Sequence, residues 1–497
     1  MDILESKRTR QAFIEAAVLF ALGLVFFRWN LQSWNGFLDF DGHYHLKVAQ
    51  WALAHGLWTD LPWLPFTVYG EKGPDTQWLW HLMLAPFVFI DDPAQALAWA
   101  NASNAALTLA VLGFVMRLLG VPFAPLFALL AMTAGTTILP RMMMLRGQNI
   151  AVIFMVLSVW AMARGRDVTL GVLAFLFMQS YSAAVILGPM ALIGVAARSV
   201  AERRAVLRPL IAVGAGLTLA LVVNPWFPRT FELLFFHVFY ATLSVRDGMM
   251  LSLSGSEWYP PGWRTLLAQS WPAHLTLAAA LVALAWRGRR DPAFRVPVDT
   301  QIALGVALMS LGFYFRAIRF AEYYVPFAAL AAGMVARDCW IPVRLARLRA
   351  GVLAAWMLIA AAAGGGTAGV ERSPRWAPDH LARISQRLTE LGRPGEIVFN
   401  SGWPDYMALV WWASGFRFVN GQHGHFLAYQ DPVRAAVWLE LGAGKLDDPV
   451  GAIHRVFGSR FAVVARQHAR LAEQLRADPR AVLQVDSPEA WLYELRP

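Results

Sequence analysis

Hydrophobic runs dominate the chain, and their length decides what they predict. About 20 mostly apolar residues in succession suffice for a helix to cross a bilayer. By that measure the sequence predicts about eleven spans, over residues 11–28, 97–116, 122–139, 149–164, 168–180, 182–197, 207–224, 265–286, 300–315, 320–336 and 350–367. The segments 168–180 and 182–197 are short and read equally well as one broken pair. Residues 77–90 are apolar but contain Pro86, which predicts an interfacial helix, with a twelfth span as the alternative.

Polar residues between the runs set the orientation. Lys7, Arg8 and Arg10 precede the first span. Arg164 and Arg166, then Arg198, Arg203, Arg204 and Arg208, then Arg287, Arg289, Arg290 and Arg295, then Arg337, Arg344, Arg347 and Arg349, fall in alternate loops. Cytoplasmic loops carry such an excess of basic residues. The pattern predicts a multi-pass protein of the inner (cytoplasmic) membrane. Its N-terminus would be cytoplasmic and its C-terminal domain periplasmic or extracellular. No small-residue cleavage site follows the first run, so it is expected to stay as an anchor.

Three long segments then lie outside: 29–96, 225–264 and 370–497. Residues 1–369 form the expected membrane domain, with the first two as its external loops. The third is long enough for a small domain. Its runs Glu396–Asn400, Phe416–Asn420 and Phe461–Ala465 read as buried strands, and helical periodicity covers 379–391, 431–442 and 467–476. An α/β cap is expected.

Composition agrees with this reading. Of 497 residues 57% are hydrophobic and 15% charged, whereas soluble domains are roughly 25% charged. A net charge of +10 would suggest nucleic acid, but the basic residues mark topology instead. The single cysteine, Cys339, excludes an internal disulfide and a cysteine-based zinc site.

Candidate chemistry gathers on the outer side. Asp39-Phe40-Asp41-Gly42-His43-Tyr44-His45 places two carboxylates and two imidazoles where the chain leaves the first span. Such a cluster can activate an acceptor hydroxyl or amide, or hold a divalent cation. The plain alternative is a solvated loop whose acid caps the helix 43–55. Arg141 and Arg146 break the basic-inside pattern at an outer helix end, followed by Gln148 and Asn149. They suit bidentate contact with a phosphate, or they snorkel. Arg316 and Arg319 stand at another outer end, with Glu322 three residues beyond Arg319 on the same helix face. Ser254-Gly255-Ser256-Glu257, followed by Trp258 and two prolines, reads as a lid over a lipid-facing site or as a linker. Gly402-Trp403-Pro404-Asp405-Tyr406 reads as an aromatic pocket for sugar or peptide, or as a core turn.

In this set and order the motifs resemble those of the GT-C glycosyltransferases, above all the catalytic subunit of oligosaccharyltransferase in its eukaryotic and archaeal forms. The acidic motif of that family, (E/D)-F-D-x-x-x-(N/H), matches Asp39 to His45 and puts Asp41 on its metal-binding catalytic acid. Its S-V-S-E motif resembles Ser254–Glu257, and its phosphate-contacting arginine resembles Arg319 with Phe320 and Pro326. Its W-W-D-Y-G acceptor motif is kept in part as Trp403, Asp405 and Tyr406.

The resemblance implies a polytopic helical GT-C fold and a polyprenyl-linked sugar donor. It implies catalysis by Asp41, donor phosphate on Arg319 and acceptor handling by Glu257, Trp403, Asp405 and Tyr406; the residues themselves add Asp39, His43 and His45 to the catalytic set and Arg316, Arg141 and Arg146 to the phosphate set. Gln148 and Asn149 stand where the family has acids that complete its metal site. A Mg2+ or Mn2+ ion at Asp41 is therefore expected to be weakly held. The acceptor is a glycan, lipid or protein, with membrane lipids around the spans and no nucleic acid. A lipid or glycan transporter is the rival class. It would bury polar groups near the midplane in repeated, broken helices, and no repeat is visible.

Overall fold

The computed structural model describes residues 3–33, 41–136, 138–241, 253, 255–339, 346–365 and 379–496. Contacts divide the chain into two compact units, each built from separate stretches of sequence. The first comprises Met1–Ser33, Ala98–Asn224 and Ser256–Glu371; the second comprises Trp34–Leu97, Pro225–Gly255 and Arg372–Pro497.

The first unit is helical, and each apolar run read from its sequence falls on helix. Among the described residues, five helices are long and apolar enough to cross a membrane: Lys7–Leu31, Pro93–Leu118, Ser182–Glu202, Trp263–Arg290 and Val298–Arg316. Other runs form shorter apolar helices, including Ala124–Thr133, Gln148–Ala163, Asp167–Ser180 and Arg208–Val222. Small and glycine-containing breaks shorten them. The run expected over 122–139 stops at Thr133 and resumes as Ile138–Met142.

The helix surfaces explain why this unit needs lipid. Phe13, Leu22, Val25, Val168, Ile211 and Val282 are each more than 60% exposed. An apolar surface of that extent marks an interaction or membrane face.

Polar contacts collect instead at helix ends. Val298–Arg316 and Ala321–Cys339 run antiparallel. At one end Arg337 donates to Asp299 at 2.6 and 2.9 Å and to Asp338 at 2.7 Å. Arg316, Arg319 and Glu322 lie at the other end. Nineteen helical residues span about 28 Å, close to the roughly 30 Å of a hydrocarbon core.

The second unit holds a five-stranded sheet in the order β2-β1-β3-β5-β4. The strands are β1 (Ile397–Asn400), β2 (Arg417–Phe418), β3 (Phe461–Ala465), β4 (Ala481–Asp486) and β5 (Ala490–Leu495). β1 pairs in parallel with β2 and β3, while β5 is antiparallel to β3 and β4. All three strands read from the sequence are present; the hairpin β4–β5 is an addition. The expected helices appear as Ala382–Leu391, Pro432–Gly442 and Ala469–Ala477.

The segment after the first span is built into this unit. The Phe418 N–H donates to the Trp63 carbonyl at 2.8 Å, and the Trp63 indole donates to the Ser414 carbonyl at 2.9 Å. Trp63, Tyr44 and Val48 share a core with Leu388, Tyr406 and Phe418. Arg229 ties in the segment after Asn224 by donating to the carbonyls of Tyr69 and Lys72. The turn it clasps needs Gly70, whose φ of +61° is a left-handed conformation. Residues 78–89 form a helix, Trp78–Leu84, that tightens to the 3-10 turn Ala85–Phe89 where Pro86 enters.

Candidate active site

In the first unit, three arginines from two distant stretches of chain meet around two carboxylates. Arg141 lies on the short helix Ile138–Met142, Arg146 on the turn before Gln148–Ala163, and Arg319 on the 3-10 turn Ile318–Phe320. Glu257, on the 3-10 turn Ser256–Trp258, reaches all three. Its Oε2 accepts from Arg141 Nη2 at 3.1 Å and from Arg146 Nη1 at 3.1 Å; its Oε1 accepts from Arg319 Nη1 at 3.2 Å. Glu322, fully buried, accepts from Arg141 Nε at 2.8 Å and lies 3.8 Å from Arg319 Nε. Three guanidiniums thus face two carboxylates, and the group keeps a net positive charge.

Neighbouring side chains fix the guanidiniums. Arg319 lies over the Trp258 ring, 4.1 Å from its centroid, and donates to the Tyr181 hydroxyl at 3.5 Å. Tyr181 interrupts two helical segments with an extended backbone, as the broken pair in the sequence suggested. It packs so close to Gly147 that a β-carbon there would stand 2.4 Å from the ring. The backbone N–H of Ile318 donates to the Tyr259 carbonyl at 3.1 Å, which anchors the Glu257 turn.

Charge follows this geometry. Burial alone would raise the Glu257 carboxyl, but Arg146, Arg319 and Arg141 outweigh it and hold the group far below the usual carboxylate range. Burial works against the Arg319 cation, and Glu257 reverses that effect, so Arg319 stays protonated. Arg316, half-buried, ends its helix beside this turn.

The amides that follow Arg146 turn inward. Gln148 donates to the Arg141 carbonyl at 2.8 Å and Asn149 to the Met142 carbonyl at 2.7 Å. They brace the loop that carries both arginines. Their side-chain oxygens are buried without a partner. Both are neutral amides, whereas a divalent cation favours carboxylates. Among the described residues, no group of three or more His, Cys, Asp or Glu side chains is placed to hold a metal ion.

The acidic motif and the Trp403–Tyr406 motif both belong to the second unit. Asp41 opens the helix Asp41–His55; Asp39 lies outside the described residues, as does Ser254. His43 is buried edge-on to Trp411, with ring centroids 5.8 Å apart. The Tyr44 ring lies 6.0 Å from that of Tyr406, so the two motifs share a core. Asp405 precedes the helix Tyr406–Trp412 and lies 3.8 Å from His380. Trp403 stacks on His423 at 6.3 Å. It also lines a cavity of about 520 Å³ with Ser401, Trp438 and His468.

His45 belongs to a buried chain that the sequence did not announce. Its Nδ1 lies 2.8 Å from His81 Nε2, and His81 Nδ1 lies 2.7 Å from Asp75 Oδ2. Asp75 and His81 stand six residues apart on either side of Thr76-Gln77-Trp78-Leu79-Trp80, a spacing that carries no recognisable motif.

No protein-family model and no curated protein sequence matches the chain. Solved structures do. The apo oligosaccharyltransferase of Archaeoglobus fulgidus superposes with a TM-score of 0.58 at 12% identity, covering 92% of this chain and 69% of that one. The same enzyme tethered by a disulfide bond to an acceptor peptide containing the NVT sequon gives 0.55 at 13% identity, covering 94% and 71%. ArnT from Cupriavidus metallidurans, bound to undecaprenyl phosphate, gives 0.56 at 14% identity, covering 96% and 97%. The chain therefore has the fold of these GT-C glycosyltransferases, the fold that its motifs led us to expect.

Proposed function

We propose that the protein is a membrane glycosyltransferase. It takes a sugar or oligosaccharide from a polyprenyl-phosphate or polyprenyl-pyrophosphate donor and transfers it to an acceptor at the outer face. The observation that carries this reading is the gathering of Arg141, Arg146 and Arg319 at one end of an apolar helical unit. A lipid-linked donor has that composition: an apolar chain ending in a phosphate. A transporter would hold its polar groups near the membrane midplane, whereas this cluster lies at helix termini.

In the proposed reaction, the acceptor attacks the anomeric carbon as its bond to the phosphate oxygen breaks, inverting that carbon. The electron pair leaves with the phosphate, where the guanidiniums meet the growing charge. Stabilising such charge is often the largest catalytic term. Asp41 takes the acceptor's proton, and His43 and His45 support it from the same helix. Trp403 and Asp405 serve the acceptor, with Tyr406 buried behind them in the core. About eleven crossings of the inner membrane, an N-terminus inside and the C-terminal domain outside complete the proposal.

A second reading concerns the acceptor. The chain covers nearly all of ArnT but about two thirds of the archaeal enzyme. Since the match leaves nearly a third of the peptide-tethered enzyme uncovered, the second reading takes a lipid or surface polysaccharide as acceptor in place of a protein sequon.

The test is transfer of radiolabelled sugar from an undecaprenyl-linked donor by the purified protein in proteoliposomes. Asp41→Ala should abolish transfer with expression and thermal stability unchanged. Arg319→Gln should lower turnover by roughly 10²–10³-fold. Near-normal turnover in either variant would reject the assignment.

A further inference from the structure

Glu257 stands where an anion is wanted. Its two carboxylate oxygens take hydrogen bonds from three guanidiniums at 3.1–3.2 Å. Glu322 already serves Arg141 and Arg319 from the buried side. Glu257 is the more exposed of the two acids, 23% against 0%, and sits on a three-residue turn rather than within a long helix. Its partners are the donors that a phosphate would use.

We propose that Glu257 is an anionic placeholder, whose carboxylate holds the donor phosphate's position until the donor expels it. This rests on reading the three arginines as the donor-phosphate site. Each N–H that points at Glu257 is lost to a phosphate while the carboxylate stays, and two anions in one cradle repel. With Glu257 in place, three guanidiniums and two carboxylates carry one net positive charge. Once it withdraws the cradle carries two, which matches a pyrophosphate-linked donor or the free polyprenyl phosphate, whereas a phosphodiester donor brings one. Glu257 thereby sets the charge that a ligand must bring in order to enter. While the cradle is empty, the carboxylate also keeps three guanidiniums paired in a poorly hydrated setting, where unpaired charge is costly. Release of Glu257 carries Trp258 off the Arg319 face, since the two residues are adjacent.

The experiment measures binding of undecaprenyl phosphate to the full-length protein in detergent micelles. Glu257→Gln keeps the side chain's shape and removes its charge. If the carboxylate fills the cradle for 90–99% of the time, the variant binds roughly 10–100-fold more tightly than wild type. Equal or weaker binding in Glu257→Gln, with clear binding by wild type, overturns the placeholder and leaves the phosphate site standing. If neither protein binds, and Arg319→Gln behaves like both, the phosphate site and the placeholder fall together. Hydrogen exchange of the peptide spanning 255–262 in wild type gives a check independent of any variant. Undecaprenyl phosphate should speed exchange there, and unchanged or slower exchange overturns the proposal.

Discussion

Removing Arg141 should expose the cost of a stranded carboxylate. Arg141 is the near partner of Glu322, at 2.8 Å, and Glu322 has no exposed surface. The next cation, Arg319, is 3.8 Å away and also engaged by Glu257. Arg141→Gln therefore leaves a buried charge poorly compensated. Breaking a buried pair from one side typically costs about 3–5 kcal/mol. In a unit of this size that corresponds to a fall in unfolding midpoint of roughly 5–10 °C. Glu322→Gln alone strands no carboxylate and should cost less. The double variant Arg141→Gln with Glu322→Gln should recover most of the loss, because both charges leave together. Thermal unfolding of the four proteins in one detergent, run as a double-mutant cycle, gives the coupling directly. A single Arg141→Gln as stable as wild type, or costs that simply add in the double variant, would refute the pairing as described.

Three further outcomes follow from other parts of the molecule. Because Gln148 and Asn149 are neutral amides bonded to backbone carbonyls, transfer should persist in excess chelator; complete loss restored by Mn2+ or Mg2+ would contradict this. At a pH where His81 is neutral, Asp75 accepts from its Nδ1, which makes Nε2 the acceptor of a proton on His45 Nδ1; Asp75→Asn should invert both tautomers, and unchanged 15N imidazole shifts would refute the chain. Burial pushes His425 down to about 4. The unfolded state then binds the extra proton as pH falls below about 6.5, so the second unit should lose about 2 kcal/mol between pH 7 and 5. His425→Phe should flatten that dependence in a pH series of unfolding midpoints, and an unchanged slope would count against it.

The fold was legible wherever period and length agree. Apolar runs located the helices of the first unit, and continuous β-rich runs located β1, β2 and β3. The hairpin Ala481–Leu495 escaped because polar residues interrupt both of its strands; the Asp486-Ser487-Pro488 turn was the available signal. The division into two units could not be read from the sequence. Trp63 and Tyr44 look like membrane-interface aromatics in sequence, and only long-range contacts reveal them as core. At the candidate site, out-of-place arginines made Arg141, Arg146 and Arg319 visible. Glu257 was noticed for its loop, yet its ion pairs span more than 60 residues of chain to Arg319 and over 110 to Arg141, a separation no local pattern encodes. Asp75 and Tyr181 were missed for the same reason.

The most direct test is a structure of the full-length protein with undecaprenyl phosphate bound. The phosphate should lie within hydrogen-bond reach of Arg141, Arg146 and Arg319, with Glu257 withdrawn from all three. A phosphate bound away from those guanidiniums, or a protein that takes up none, would contradict the account.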